Sequence, residues 1–269
     1  MMEMVLVIGF ALSVIVFHVF AIRRQPVATL VTKAIASLFF VAIGVDVLCY
    51  DKPWFVWWRE LQGAEVGPSV AIDGFLPRYS CILVGLVLGM VGDVLLAFRR
   101  VFPQKRKQYI GAGMVAFGLG HLAYSIIPAI ALFGVHPVWL AIPIAVAVIV
   151  ALGNTKVAPK LGLEYGRFTV PVFVYCTIIL FLLITTLLSC IFLYNGTLHP
   201  AFPMAKIVSF YAMIPITLFT VSDFVLNTNY FAKEQTPMGT AKIIVVHVTY
   251  YLAQFLFALG YSIPWVASA

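Results

Sequence analysis

Eight long apolar stretches, separated by short polar connections, organise this chain. They run over about 4–22, 28–50, 78–98, 108–131, 137–153, 168–193, 203–227 and 242–265. Nearly all reach the length a helix needs to cross a hydrocarbon core of about 30 Å. The expected fold class is therefore all-α: a polytopic membrane helix bundle of about eight transmembrane helices, forming one domain over 1–269. No soluble domain or low-complexity linker interrupts the pattern. The longest connection, Asp51–Pro77, holds Trp54, Phe55, Trp57 and Trp58, which suit the interfacial aromatic belt.

Composition sharpens this picture. The chain is 63% hydrophobic and 10% charged, against about 25% charged residues in soluble domains. Its mean hydropathy is +1.05. The net charge is +7, but no basic tract is interleaved with aromatics on a soluble face, so no nucleic-acid partner is expected. The basic residues instead sort by connection. Thirteen lie on or beside the odd connections, among them Arg23, Arg24, Lys33, Arg99, Arg100, Lys105, Arg106 and Lys107. Four lie on or beside the even ones: Lys52, Arg59, Arg78 and Lys206. The positive-inside rule then makes the odd connections cytoplasmic and both termini non-cytoplasmic. The N-terminal run lacks a basic region and a small-residue cleavage site, and reads as a retained helix. Asn195-Gly196-Thr197 fits a glycosylation acceptor, but sits too near the end of a span for modification to be expected. Cys49 and Cys81 fall near one membrane face, where a disulfide is open to them. Small apolar packing residues are the expected role of all four cysteines.

Charges inside spans cost about 2.5–3.5 kcal/mol each on insertion scales, so such residues usually face a polar interior. The carboxylates that meet this description are Asp93 in the third span and Asp223 in the seventh. Lys33 lies about one turn inside the second span, His121 near the middle of the fourth, and His247 in the first half of the eighth. Orientation brings Asp93, Asp223, Lys33 and His247 to the cytoplasmic half, which predicts a shared cavity facing the cytoplasm. The halves also echo each other. Gly92-Asp93 and Ser222-Asp223 are each followed one span later by His-x-x-Tyr: His121 with Tyr124, and His247 with Tyr250. An offset of four spans preserves direction, so the alternatives are a parallel four-plus-four repeat or coincidence. Asp223 shares a helical face with Thr220 and Asn227, and Asp93 one with Gly85 and Gly89. The glycines permit another helix to come close. His247, Tyr250, Tyr251 and Gln254 form a polar stripe. For Tyr124, Tyr250 and Gln254, interhelical hydrogen bonding competes with substrate binding as the role.

Several chemistries lack their signatures. There is no His-x3-His or HExxH, no Gly-x-Ser-x-Gly elbow and no Gly-rich phosphate loop after a strand. No CxxC pair suggests a metal or redox site.

An ordered set of motifs is similar to the YhhN-like lysoplasmalogenase family of membrane proteins. The set comprises Thr32-Lys33, Gly89-Met90-Val91-Gly92-Asp93-Val94-Leu95-Leu96 and Phe117-Gly118-Leu119-Gly120-His121-Leu122-Ala123-Tyr124. It continues with Val170-Pro171-Val172-Phe173-Val174-Tyr175, Leu218-Phe219-Thr220-Val221-Ser222-Asp223 and Tyr250-Tyr251-Leu252-Ala253-Gln254. The resemblance covers about 29–260. The long Asp51–Pro77 connection and the segment around Pro215-Ile216 depart from the family pattern, which bears on substrate preference more than on fold.

The resemblance implies hydrolysis of the vinyl-ether bond of lysoplasmalogens, lysophospholipids drawn from the surrounding membrane lipids. The products are a fatty aldehyde and glycerophosphoethanolamine or glycerophosphocholine. A vinyl ether resists hydroxide but yields to acid. One carboxyl group must hold a proton at neutral pH, a state that burial favours. A second, ionised carboxylate stabilises the oxocarbenium ion, as in glycosidases. Asp93 and Asp223 are the expected catalytic pair, in either order. Lys33 or His247 is expected to hold the phosphate, with His121, Tyr124, Tyr250 and Gln254 as further substrate-binding candidates. The chemistry needs no metal or organic cofactor. The endoplasmic reticulum is the expected location in a eukaryote. A proton-coupled lipid or small-molecule transporter is the rival class, with Pro171 and Pro215 as candidate helix breaks. A structural lipid-binding protein is the third.

Overall fold

Lipid offers no hydrogen bonds, so a spanning backbone must satisfy itself within each segment, and long apolar runs become helices. A computed structural model describes residues 2–50, 75–197, 212–234 and 237–260. Within them the fold is an all-α bundle of eight α-helices, α1 Met2–Ile22, α2 Pro26–Tyr50, α3 Phe75–Val101, α4 Arg106–Val135, α5 Ala141–Val157, α6 Thr169–Tyr194, α7 Met213–Tyr230 and α8 Thr240–Ala258. Each coincides with one of the expected spans. The described start of α3 is three residues earlier than the pattern suggests, and α8 ends at Ala258 rather than 265. The beginning of the seventh span and the Trp-rich 51–74 connection lie outside the described residues.

Among the described residues, seven helices are long and apolar enough to cross a membrane. Helix α7 is not among them. Asp223, Asn227 and Asn229 dilute its apolar run, and its expected first turns are not described. The outer faces carry large apolar side chains, such as Ile8, Leu12 and Ile15 on α1 and Ile144, Ile149 and Val150 on α5. Polar residues instead collect inside: Lys33, Ser37, Asp93, His121, Ser222, His247 and Gln254 are all buried. A soluble protein puts its charges outward, and an apolar surface of this extent needs a covering phase. The chain is an integral membrane protein.

The helices pack in a defined order. Helix α2 lies between α1 and α3, α3 packs along α4, α4 along α6, and α6 touches both α5 and α7. Helix α8 is the hub, contacting α1, α2, α3 and α7. Small residues set the closest crossings. A Cβ at Gly120 would lie 3.2 Å from the carbonyl oxygen of Gly85, so α4 and α3 meet almost backbone to backbone. A side chain at Gly85 would collide with the Tyr124 ring, and one at Gly89 with the Gln254 amide. The expected role of the two glycines above Asp93 is thus filled by α4 and α8.

Pro171 does not break a helix, and the segment before Ala212, which bears on a break at Pro215, lies outside the described residues. Pro171 is the third residue of α6, in the first turn, where a missing amide loses no intrahelical bond. Helix α6 runs on without interruption to Tyr194. Cys49 and Cys81 are not bonded to each other.

Candidate active site

Helical spacing builds the site. Lys33 and Ser37 are one turn apart on α2, as are Asp93 and Ala97 on α3. Where these two helices pack, Lys33 Nζ reaches Asp93 Oδ1 at 2.8 Å. The Ser37 hydroxyl donates to Asp93 Oδ2 at 2.6 Å. The Asp93 side chain is only 1% exposed, so its charge is balanced locally rather than by solvent. Tyr250 of α8 also interacts with Asp93, and its ring lies 5.9 Å from Lys33 Nζ.

Asp223 has a different set of partners. The Tyr175 hydroxyl, from α6, donates to Asp223 Oδ2 at 2.5 Å. His121 Nε2, from α4, lies 3.9 Å from the same oxygen. His121 Nδ1 is 2.6 Å from the Phe117 carbonyl oxygen. A carbonyl only accepts, so Nδ1 carries the proton and Nε2 of the neutral ring presents a lone pair toward Asp223. That buried Nε2 has no hydrogen-bond partner. The Phe219 ring, in edge contact at 4.5 Å, holds the imidazole in place. No lysine or arginine pairs with Asp223 among the described residues.

Both carboxyl groups line one cavity of about 40 Å³, room for a few water molecules. Lys33, His247, Tyr250, Ser222, Arg99 and Arg100 share its wall. His247 is fixed by Nδ1 donating to the Ile243 carbonyl oxygen at 2.7 Å and by the Phe17 ring 4.7 Å away. The cavity is open on the side of half-buried Arg99, Arg100, Leu226 and Tyr230, and closed where Lys33, Asp93 and His247 are buried.

Tyr124 and Gln254 stand apart from this wall. Tyr124 donates to Gln254 Oε1 at 2.7 Å, and Gln254 Nε2 donates to the Tyr250 hydroxyl at 3.1 Å. Tyr250 is in turn 3.4 Å from the Gly89 carbonyl oxygen. This chain of hydrogen bonds ties α4 to α8 and α3 behind the cavity. Tyr250 is the member that belongs to both. Asn227, on the Asp223 face, donates to the Tyr165 hydroxyl at 3.0 Å, and Asn154 donates to the same oxygen at 3.2 Å. These bonds brace the open end.

Two kinds of residue are absent from the sequence-based expectation. Ser37 and Tyr175 complete the carboxyl groups from other helices, and nothing local in the sequence marks that. Arg99 and Arg100 enter above as orientation signals only. Their spacing was informative: Arg100 follows Asp93 by seven residues, two turns along one face. Lys33, expected with His247 as the alternative to hold a phosphate, is paired with Asp93.

Searches of curated proteins and of solved structures find no match. The family model described as the YhhN family matches residues 69–261. The matched span contains Asp93, His121, Tyr175, Asp223, His247 and Tyr250, while Lys33 lies before it. With well over half of its length matched, including Asp93 and Asp223, the chain belongs to the YhhN family.

Proposed function

We propose that this protein hydrolyses the vinyl-ether bond of lysoplasmalogens, releasing a fatty aldehyde and a glycerophosphoethanolamine or glycerophosphocholine. The observation that carries the reading is a pair of carboxyl groups, Asp93 buried and Asp223 half-buried, with unlike partners on one cavity wall. Lys33 balances Asp93, which suits it to act as the ionised carboxylate. Asp223 has a hydroxyl donor and an imidazole beside it, and among the described residues no lysine or arginine pairs with it, which suits it to carry the proton.

The chemistry then runs in three steps. Asp223 delivers its proton to the vinyl carbon distal to oxygen, leaving an oxocarbenium ion, and Tyr175 stabilises the carboxylate that forms. Asp93 faces that cation and takes a proton from water as it adds to the carbon next to oxygen, giving a hemiacetal. In the collapse, Asp93 protonates the departing glyceryl oxygen and Asp223 accepts the hemiacetal proton. Both carboxyl groups return to their starting states. The cavity admits the ether and a water, while the hydrocarbon chain lies outside it among helices and lipid. The basic connections put the open end toward the cytoplasmic leaflet, with both termini on the other side.

The test is aldehyde release from a defined lysoplasmalogen by purified protein in detergent, where no gradient exists. Asp93→Asn and Asp223→Asn keep size and hydrogen bonding but lose the acid and the charge. Each should lower turnover by at least about 10²–10⁴-fold, the usual worth of acid–base assistance. Near-wild-type rates in both folded variants would refute the hydrolase and favour a transporter.

A further inference from the structure

Arg99 and Arg100 are two guanidinium groups on the cavity wall, and among the described residues neither has a carboxylate within ion-pairing distance. Among the described residues, Lys33 pairs with Asp93, Lys233 lies 3.8 Å from Glu164 and the neutral His121 ring lies 3.9 Å from Asp223, and neither arginine takes part in any of these contacts. The two arginines repel each other and Lys33, which lines the same cavity. Like charges gathered at a half-buried mouth leave a positive potential that an anion would relieve.

Arg99 is also positioned. Arg99 Nε donates to the Leu96 carbonyl oxygen at 2.9 Å, and its guanidinium carbon lies 4.1 Å from the Tyr230 ring centroid. One side of the fork is therefore committed, and the remaining N–H groups are held in a fixed plane. A planar, pre-oriented guanidinium suits bidentate recognition of phosphate oxygens.

Depth fixes what the anion is attached to. Arg99 and Arg100 lie six and seven residues beyond Asp93 on α3, a rise of about 9–10 Å. Side chains on a helix lean toward its N-terminus, so both arginines reach back toward Asp93. In a lysoplasmalogen the vinyl carbon that takes the proton and the phosphorus are seven bonds apart, on the order of 8 Å extended at ordinary bond lengths. A molecule with its ether between the carboxyl groups thus presents its phosphate at the arginines. Among the described residues, the remaining lysine or arginine of the wall, Lys33, is buried and taken by Asp93.

We propose that Arg99 and Arg100 form the head-group subsite of this cavity and bind the phosphate diester of a lysophospholipid. The assignment rests on the reading of the cavity as a lysoplasmalogen site, and moves phosphate recognition from Lys33 to the end of α3.

The experiment measures binding without turnover. A non-cleavable 1-O-alkyl lysophospholipid, the matching 1-O-alkylglycerol without phosphate, and inorganic phosphate are titrated into purified full-length protein in non-ionic detergent. Wild type should bind the alkyl lysophospholipid more tightly than either fragment. Arg99→Gln and Arg100→Gln should each weaken it by about tenfold to a hundredfold, as expected for a charge-assisted hydrogen bond, and leave alkylglycerol binding unchanged. Arg100→Lys should restore part of the affinity, which a merely misfolded site would not allow. Lys105→Gln and Lys107→Gln, exposed and outside the cavity wall, should bind as wild type. Unchanged affinity in both glutamine variants would overturn the subsite. Equal wild-type affinity for the lysophospholipid and the alkylglycerol would overturn phosphate recognition. Equal affinity for inorganic phosphate would overturn the lipid head group as its source. Because no bond is broken, failure of the hydrolase reading leaves these outcomes intact, and their failure leaves the aldehyde assay to stand alone.

Discussion

Lys33→Met isolates the interaction at the centre of the site. Methionine keeps an unbranched apolar stem and deletes the ammonium 2.8 Å from Asp93. The two side chains are 10% and 1% exposed, so solvent screens the pair little. Breaking a buried ion pair from one side costs about 3–5 kcal/mol, because the other charge stays buried. Asp93→Asn should cost a similar amount by stranding Lys33. The double variant Lys33→Met, Asp93→Asn strands neither, and Ser37 still bonds to position 93. Its cost should therefore fall short of the sum of the single variants. Neutral interhelical hydrogen bonds in a membrane average about 0.6 kcal/mol by such cycles and reach about 1.7. A shortfall above about 2 kcal/mol would mark an ion pair. The assay is reversible unfolding of the four proteins by dodecyl sulfate in mixed micelles at neutral pH, followed by tryptophan fluorescence. Additivity within about 0.5 kcal/mol would refute the pairing. A stable Lys33→Met protein with only a raised KM would return Lys33 to the phosphate.

Three further outcomes follow from the geometry. Tyr175→Phe removes the hydroxyl on Asp223 Oδ2 and keeps the ring, so kcat for aldehyde release should fall about tenfold to a hundredfold with KM little changed; an unaltered kcat would remove Tyr175 from the mechanism. Gly120→Val places a branched side chain against the Gly85 carbonyl oxygen, and should destabilise the α3–α4 crossing by about 1–3 kcal/mol or more in the same unfolding assay. A single cysteine at Gln104, in a background without the native four, should react with an impermeant thiol reagent only from the cytoplasmic side of oriented vesicles. Labelling from the other side alone would invert the topology.

The helices were legible in the sequence because the constraint on them is local. A run of apolar residues in lipid must close its own hydrogen bonds, so α1–α6 and α8 follow from pattern alone. Even α7, too polar to pass as a span by its described residues, is marked by the apolar run that holds Asp223. The two carboxyl groups were legible for the same reason: a charge inside a span is expensive wherever the helix later packs. Gly85 and Gly89 announced close approach by having no side chain. Their partners, Tyr124 and Gln254, were named as polar residues but not as neighbours. What the sequence by itself could not decide is which groups meet, since contact between helices depends on crossing and rotation rather than on order along the chain. Packing of α2 on α3 assigns Lys33 to Asp93 rather than to a ligand. Packing of α6 and α4 against α7 gives Asp223 a tyrosine and a histidine from 48 and 102 residues away. The two carboxyl groups look alike in sequence, as Gly-Asp and Ser-Asp on matching helices. Only the tertiary structure makes them different, by setting a cation beside one and neutral donors and acceptors beside the other.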